Sequence, residues 1–283
     1  MKPNFIVTKA SGVTEPFSIE KLKLSLERSR ATPAEIEIIC NQLQSQLYQG
    51  ISTKKIYSEA FKLLKHHSKH HAARYQLKKG LLDLGPSGYP FEKFIAKLFE
   101  MQDYKTTTGQ IVKGKCVSHE IDVIANKNNE IIVIECKYRN AAGITVDIKT
   151  PLYIHSRFND VIAGGYFKNE QESINGWLIT NAKFTTDAIT YGKCANLNLL
   201  SWDYPAKNSL RELIDNYNLY PLTCLTTLSK QEKQWLLSHD MVLAKDIYNN
   251  ETILLKAGVS SKRIQTVKEE GLKLFKEGNS NNK

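Results

Sequence analysis

The stretch Glu130-Ile131-Ile132-Val133-Ile134-Glu135-Cys136-Lys137 decides the fold. The consecutive β-branched residues Ile131 to Ile134 mark a strand buried on both faces, as inside a sheet covered by helices. Such a strand rarely closes on Glu-x-Lys, because a buried charge is costly unless it is paired or holds a metal. On a strand, residues i and i+2 share a face, so Glu135 and Lys137 point the same way, roughly 7 Å apart.

Acid-x-Lys recurs at Asp103-x-Lys105 and Asp147-x-Lys149, but only the Glu135 copy ends an apolar strand. That copy also has an acidic partner. His119-Glu120-Ile121-Asp122-Val123-Ile124-Ala125 alternates like a strand, and Lys127-Asn128-Asn129-Glu130 reads as the turn joining it to the next. The resulting hairpin brings Asp122 beside Glu135. Two carboxylates suit a hard, oxygen-loving cation such as Mg²⁺, with the Cys136 carbonyl and waters completing the shell. Lys137 would then orient a water or balance charge developing on phosphorus. Upstream, Tyr89 to Phe99 reads as a helix with the apolar stripe Phe91, Phe94, Ile95 and Leu98; Glu92 lies beside its edge and reaches toward the same site.

This helix–hairpin–strand order resembles the PD-(D/E)xK nuclease superfamily, particularly the catalytic domain of Mrr-type restriction endonucleases. Gly88-x-x-Phe91-Glu92, Gly176-Trp177-Leu178-Ile179-Thr180-Asn181, Phe184-Thr185, Asp187-Ala188 and Leu199-Leu200-Ser201-Trp202-Asp203 extend the likeness over about residues 88–215. The resemblance implies catalytic roles for Asp122, Glu135 and Lys137, with Asp122 and Glu135 on the metal and Glu92 as accessory acid. Mrr enzymes often carry Gln where this chain has Glu135; Glu is the commoner choice in the superfamily. Arg139, Lys149, His155 and Arg157 follow this core and read equally well as contacts to a DNA backbone or as exposed cations on a solvated face. The plain alternative for the core is a set of strand-end charges paired with Lys137 in an inactive relative.

N-terminal to the linker Leu84-Gly85-Pro86-Ser87-Gly88-Tyr89-Pro90, the residues Phe5–Lys9 and Val13–Phe17 read as a hairpin around Ala10-Ser11-Gly12. Ser18 fits an N-cap, and Thr32-Pro33-Ala34-Glu35 a capping box opening a helix expected to end at Gly50. Further helices are expected from about Thr53 to Lys65 and from Ala72 to Leu82. These residues resemble the ATP-cone, the nucleotide-binding regulatory module of ribonucleotide reductases and their repressors, through Val7-Thr8-Lys9, Gly12, Glu15-Pro16-Phe17, Glu20-Lys21-Leu22, Gly50-Ile51-Ser52-Thr53 and Ala72-Ala73-Arg74-Tyr75. The resemblance implies ATP or dATP as a regulatory ligand, with Lys9 and Lys21 on the triphosphate and Glu15 and Thr53 as further contacts. The family's Lys-Arg-Asp-Gly turn is Lys9-Ala10-Ser11-Gly12 in this chain, a departure that bears on affinity and nucleotide choice.

Two motifs read as decoys. Gly109 to Cys116 spells G-x4-G-K without the Ser or Thr that a phosphate loop needs for Mg²⁺, and a strand follows it instead of a helix. His66-His67-Ser68-Lys69-His70-His71 has metal-like spacing but no intervening acid, and reads as a solvated helix end or loop. After Asn216, short helices are expected. Gly258 to Arg263 forms a basic entry to the last of them, Trp235-Leu236-Leu237 reads as core, and the tail Glu277–Lys283 as frayed.

The 283 residues carry 39 Lys and Arg against 29 Asp and Glu, a net charge of +10 that suggests a polyanionic partner. The surplus is uneven: 14 basic and 7 acidic residues in 1–85, 15 and 15 in 86–215, 10 and 7 in 216–283. A hydrophobic content of 41% fits a globular protein and excludes wholesale disorder. No apolar run approaches the ~20 residues that span a bilayer, and the polar N-terminus is unlike a secretion signal. Five scattered cysteines without a CxxC pair argue against a disulfide or zinc scaffold and for a reducing cytoplasm.

The expected architecture has three parts: a hairpin-plus-helices ATP-cone at 1–85, a restriction-endonuclease-like α/β/α core with a mixed sheet at 86–215, and a small helical region at 216–283. The expected function is Mg²⁺-dependent endonucleolytic hydrolysis of DNA, regulated allosterically by ATP or dATP since no Walker motif exists to hydrolyse it, in restriction or phage defence. Double-strand cutting would favour a homo-oligomer. The alternative is a non-catalytic, nucleotide-sensing DNA-binding regulator on an inactive nuclease fold.

Overall fold

The computed structural model describes residues 5–9, 12–167 and 173–276; Ala10 and Ser11 of the expected turn and the expected frayed tail lie outside them. In chain order the elements are β1 (Ile6–Thr8), β2 (Thr14–Pro16), α1 (Ile19–Arg28), α2 (Pro33–Gln44), α3 (Thr53–His67), α4 (Lys69–Tyr75), α5 (Leu77–Leu82), α6 (Tyr89–Glu100), β3 (Lys105–Lys113), β4 (Ser118–Lys127), β5 (Glu130–Cys136), β6 (Thr145–Val146), α7 (Lys149–Ala163), β7 (Ser173–Ile179), β8 (Lys183–Phe184), α8 (Thr186–Cys194), β9 (Asn198–Leu200), α9 (Leu210–Tyr217), α10 (Lys230–Ser238), α11 (Glu251–Lys256) and α12 (Ser261–Lys276). Among the described residues, no helix is long and apolar enough to cross a membrane.

These elements fall into two compact units. One contains the N-terminal residues to Gly80 together with Leu222–Trp235 and the residues from Ala244 on; the other contains Leu81–Pro221 and Leu236–Leu243. The C-terminal segments thus share a unit with the N-terminal third, where three successive bodies were expected. The physical reason is polar stitching. Arg74 donates to the carbonyls of Lys273 and Leu274 at 3.2 and 3.3 Å, Gln76 to Cys224 O at 2.6 Å, and Thr223 Oγ1 to Gly80 O at 2.6 Å. Gly80 has to be Gly here, because a Cβ would lie 2.3 Å from Cys224 Sγ.

Within that unit β1 and β2 form the expected antiparallel hairpin, and Ser18 caps α1 by accepting from the Lys21 amide. Thr32 and Glu35 form the capping box of α2. This helix stops at Gln44, six residues before the expected Gly50, and Ser45 closes it by bonding Gln42 O at 2.8 Å. The single helix expected over Ala72–Leu82 is two, interrupted at Gln76, whose amide side chain is committed to Cys224. Leu22, Leu26, Ile39, Leu43, Ala60 and Leu64 make its core.

The other unit is a five-stranded mixed sheet in the order β3-β4-β5-β7-β9. Its first two pairings are antiparallel and its last two parallel, with β5 central and buried as its residue run dictates. Helix α6 packs against β3, β4 and β5, and α7 against β4 and β7, giving the expected layered core. Ile124, Ile131, Val133, Leu178 and Leu199 of the sheet close on Ile154, Phe158 and Val161 of α7. Thr185 caps α8 through the Ala188 amide.

Candidate active site

The site forms where the β4–β5 ladder opens. The ladder runs from Lys127↔Glu130 to Val123↔Ile134, so the next step outward sets Asp122 against Glu135. The Cys136 amide donates to Asp122 Oδ2 at 2.7 Å, fixing that carboxylate across the strand gap. On the far side of β5, the Lys137 amide donates to Ile179 O at 2.7 Å and Thr180 Oγ1 donates to Lys137 O at 2.6 Å. Asn181 clips the chain two residues on, accepting from the Arg139 amide at 2.8 Å and donating to Arg139 O at 2.7 Å. Thr180 and Asn181 are fully buried, so these bonds are shielded from water. The segment carrying Lys137 is therefore fixed by the end of β7 next to it.

Glu92 enters from the first turn of α6. Gly88, the N-cap, leaves room for it: a Cβ there would stand 3.2 Å from Glu92 Oε1. Burial, reinforced by the charges of Asp122 and Glu120, holds the Glu92 carboxyl up to about 7. Burial and the neighbouring Asp122 do the same to Glu135, to about 7, although Arg157 and Lys137 pull it down. Asp122 is also raised, by burial first, against the lowering effects of the Cys136 amide and Arg157. Glu92, Asp122, Glu135 and Lys137 are thus brought into one electrostatic neighbourhood.

Two members of this neighbourhood escaped sequence reasoning. Glu120 sits two residues before Asp122 on β4, and that i, i+2 spacing was its available signal. Arg157 of α7, a candidate DNA contact or solvated cation by its sequence, donates from Nη1 to Glu135 Oε2 at 2.8 Å and from Nη2 to the Glu120 carbonyl. The ion partner of Glu135 is therefore Arg157, where the inactive-relative reading had Lys137. Among the described residues, the Lys137 ammonium takes part in no ion pair.

Among the described residues, no three His, Cys, Asp or Glu side chains gather as a ready metal cage. The fit to a divalent cation rests on charge. Among the described residues, the charges that act on Glu92, Asp122 and Glu135 are those of one another, Glu120, Arg157 and Lys137, so acids outnumber bases in this cluster. Such a crowd of acids, partly buried, can be relieved by protonation or by a bound cation.

The expected nucleotide residues also converge in part. Glu15 accepts from Lys9 at 2.6 Å and from Lys21 at 3.2 Å, and the two ammonium groups hold its carboxyl below the usual range. A parallel bridge between Thr8 and Ser52 brings the start of α3, where Thr53 is the first helical residue, beside the end of β1. The decoys resolve as follows. Gly109–Lys113 lies in β3, and Gly109 adopts a positive φ of 63° between Thr108 and Gln110, whose partners Val123 and Ile121 flank Asp122. The histidine run straddles the α3–α4 break capped by Ser68; His71 is buried and bonds Glu35 at 3.1 Å, so it is a packed residue where a solvated one was expected. Arg263 of the basic turn is spent on Glu232 at 2.6 Å and on the Thr227 carbonyl.

A family model described as restriction endonuclease matches residues 85–204, and one described as AF1548-like, C-terminal, matches residues 220–275. An uncharacterized protein of Archaeoglobus fulgidus is 33% identical over 182 residues, which cover 64% of this chain and 99% of that protein. The crystal structure of AF1548, a protein of unknown function, superposes with a TM-score of 0.56 and 32% identity, covering 67% of this chain and 98% of that one.

Proposed function

We propose a function from one premise: the chain belongs to the AF1548-like family, and its residues 85–204 match a restriction endonuclease domain. In this reading residues 86–215 form a Mg²⁺-dependent DNA endonuclease that hydrolyses phosphodiester bonds. The observation that carries it is the β4–β5 register, which continued one step sets Asp122 against Glu135 at one sheet end, with the Lys137 backbone fixed beside them. Asp122 and Glu135 would hold the cation, which when bound polarises a phosphoryl oxygen and acidifies water. Lys137, free of an ion pair among the described residues, orients the attacking water and balances charge at the phosphorus. Glu92, with its raised proton affinity, takes the accessory role and accepts the proton that the attacking water gives up.

Residues 1–85 are assigned to ATP or dATP as a regulatory ligand. Lys9 and Lys21 would exchange Glu15 for the triphosphate, and the start of α3 at Thr53 offers backbone amides to it. Coupling to cleavage is then allosteric, in a cytoplasmic restriction or defence protein.

Incubating plasmid with protein and Mg²⁺, with and without ATP or dATP, tests the first assignment. No cleavage under any condition, or cleavage unchanged in Asp122→Ala, sinks it. Labelled ATP binding to wild type and to Lys9→Ala/Lys21→Ala tests the second, and equal affinities remove that site.

A further inference from the structure

Arg157 reaches the acidic cluster from α7, and its surroundings are specific. Its Nη1 is 2.8 Å from Glu135 Oε2, its Nη2 takes the Glu120 carbonyl, and the guanidinium lies 5.7 Å from the centre of the Tyr153 ring one helical turn earlier. Both charged groups are 14% exposed on their side chains, so the pair is shielded from bulk screening. A planar, permanently charged fork held on two acceptors and an aromatic face is a built contact, in contrast to a mobile surface arginine.

Glu135 cannot give one oxygen to this guanidinium and its full charge to a divalent ion without sharing. We propose that Arg157 is a positioning residue and resident counter-ion, occupying the cation side of Glu135 and setting, by competition, how tightly the site takes a divalent cation. This rests on the metal-site reading above. Without a cation, Arg157 holds Glu135 by its Oε2 and offsets the repulsion within the cluster. As a cation enters, the Nη1 contact loosens, while the Glu120 carbonyl and the Tyr153 ring hold the guanidinium nearby. Removing the arginine takes one positive charge from the site, so a divalent ion binds more tightly in a less stable unloaded protein. Lysine keeps the charge but loses the fork.

The experiment is Mn²⁺ binding, by electron paramagnetic resonance and calorimetry, to wild type, Arg157→Gln and Arg157→Lys, with thermal melts in chelator to show that each is folded. The expected result is roughly tenfold tighter Mn²⁺ binding and a lower melting temperature in chelator for Arg157→Gln, with Arg157→Lys near wild type in affinity. Equal Mn²⁺ affinity in wild type and Arg157→Gln overturns the counter-ion role and leaves the metal site standing. Absence of Mn²⁺ binding in all three overturns the metal site, and the counter-ion role with it. If Arg157→Gln fails to fold, a wild-type affinity equal to that of Arg157→Lys supports competition by charge, and an Arg157→Lys affinity below wild type overturns it.

Discussion

Asp122 and Cys136 are joined across the β4–β5 ladder by a 2.7 Å bond from the Cys136 amide to Asp122 Oδ2, so the backbone of one strand aims the carboxylate of the other. Asp122→Asn keeps an oxygen for that amide while removing a charge from a crowded acidic cluster. The folded protein should lose plasmid cleavage by a factor of 10² or more, the scale on which single charge-stabilising groups act, with a melting temperature equal to or above wild type in chelator. Retained cleavage would count against the assignment, and a collapse in stability would show that Asp122 serves the fold.

Glu92 supplies a pH prediction. Its folded carboxyl is raised from 4.5 to about 7. The folded state therefore binds this proton more tightly than the unfolded chain, and stability falls as pH climbs from about 4.5 to 7. Glu92→Gln has no such titration. Denaturant melts in chelator should show the variant gaining on wild type across that window, by about 1–3 kcal/mol at its upper end, and level above it. A difference independent of pH would show that the Glu92 carboxyl is not raised in the folded protein.

Asn181→Ala strips the paired amide and carbonyl of Arg139 of their buried partners. A cost of about 1–3 kcal/mol is expected, together with a fall in kcat larger than any change in KM, because Lys137 lies two residues away. Cleavage kinetics unchanged in a folded variant would mean that Lys137 is positioned without this clip.

Gly176→Ala tests the packing behind the site. A Cβ there would come within 2.5 Å of the Phe158 ring, next to Arg157 on α7. Overpacking should cost about 1–3 kcal/mol, read as a lowered denaturation midpoint. An unchanged midpoint would show that α7 can retreat from the sheet.

The central strand was legible because Ile131 to Ile134 permit little else, and the register of Asp122 against Glu135 followed from the turn at Asn128 and Asn129. Helix starts were equally readable at Ser18 and Thr32, where a side chain caps locally. Helix ends were not. The break at Gln76 depends on Cys224, and the commitment of His71 depends on Glu35 in another helix; no window of neighbouring residues contains both partners. The same limit hid Arg157. Its charge was visible, but the carboxylate it serves lies 22 residues earlier, and only the fold of α7 onto the sheet joins them.

Arg74 and the Leu274 carbonyl, 200 residues apart, are stitched within one unit, and the chain between them includes the whole sheet. At synthesis rates of ~5–20 residues per second, roughly 10–40 s separate the emergence of the two partners. The N-terminal hairpin and helices must wait through that interval with their docking face bare, while most of the later sheet unit is already outside the ribosome. A nascent chain stalled before α12 would thus strand its beginning as well as lack its end.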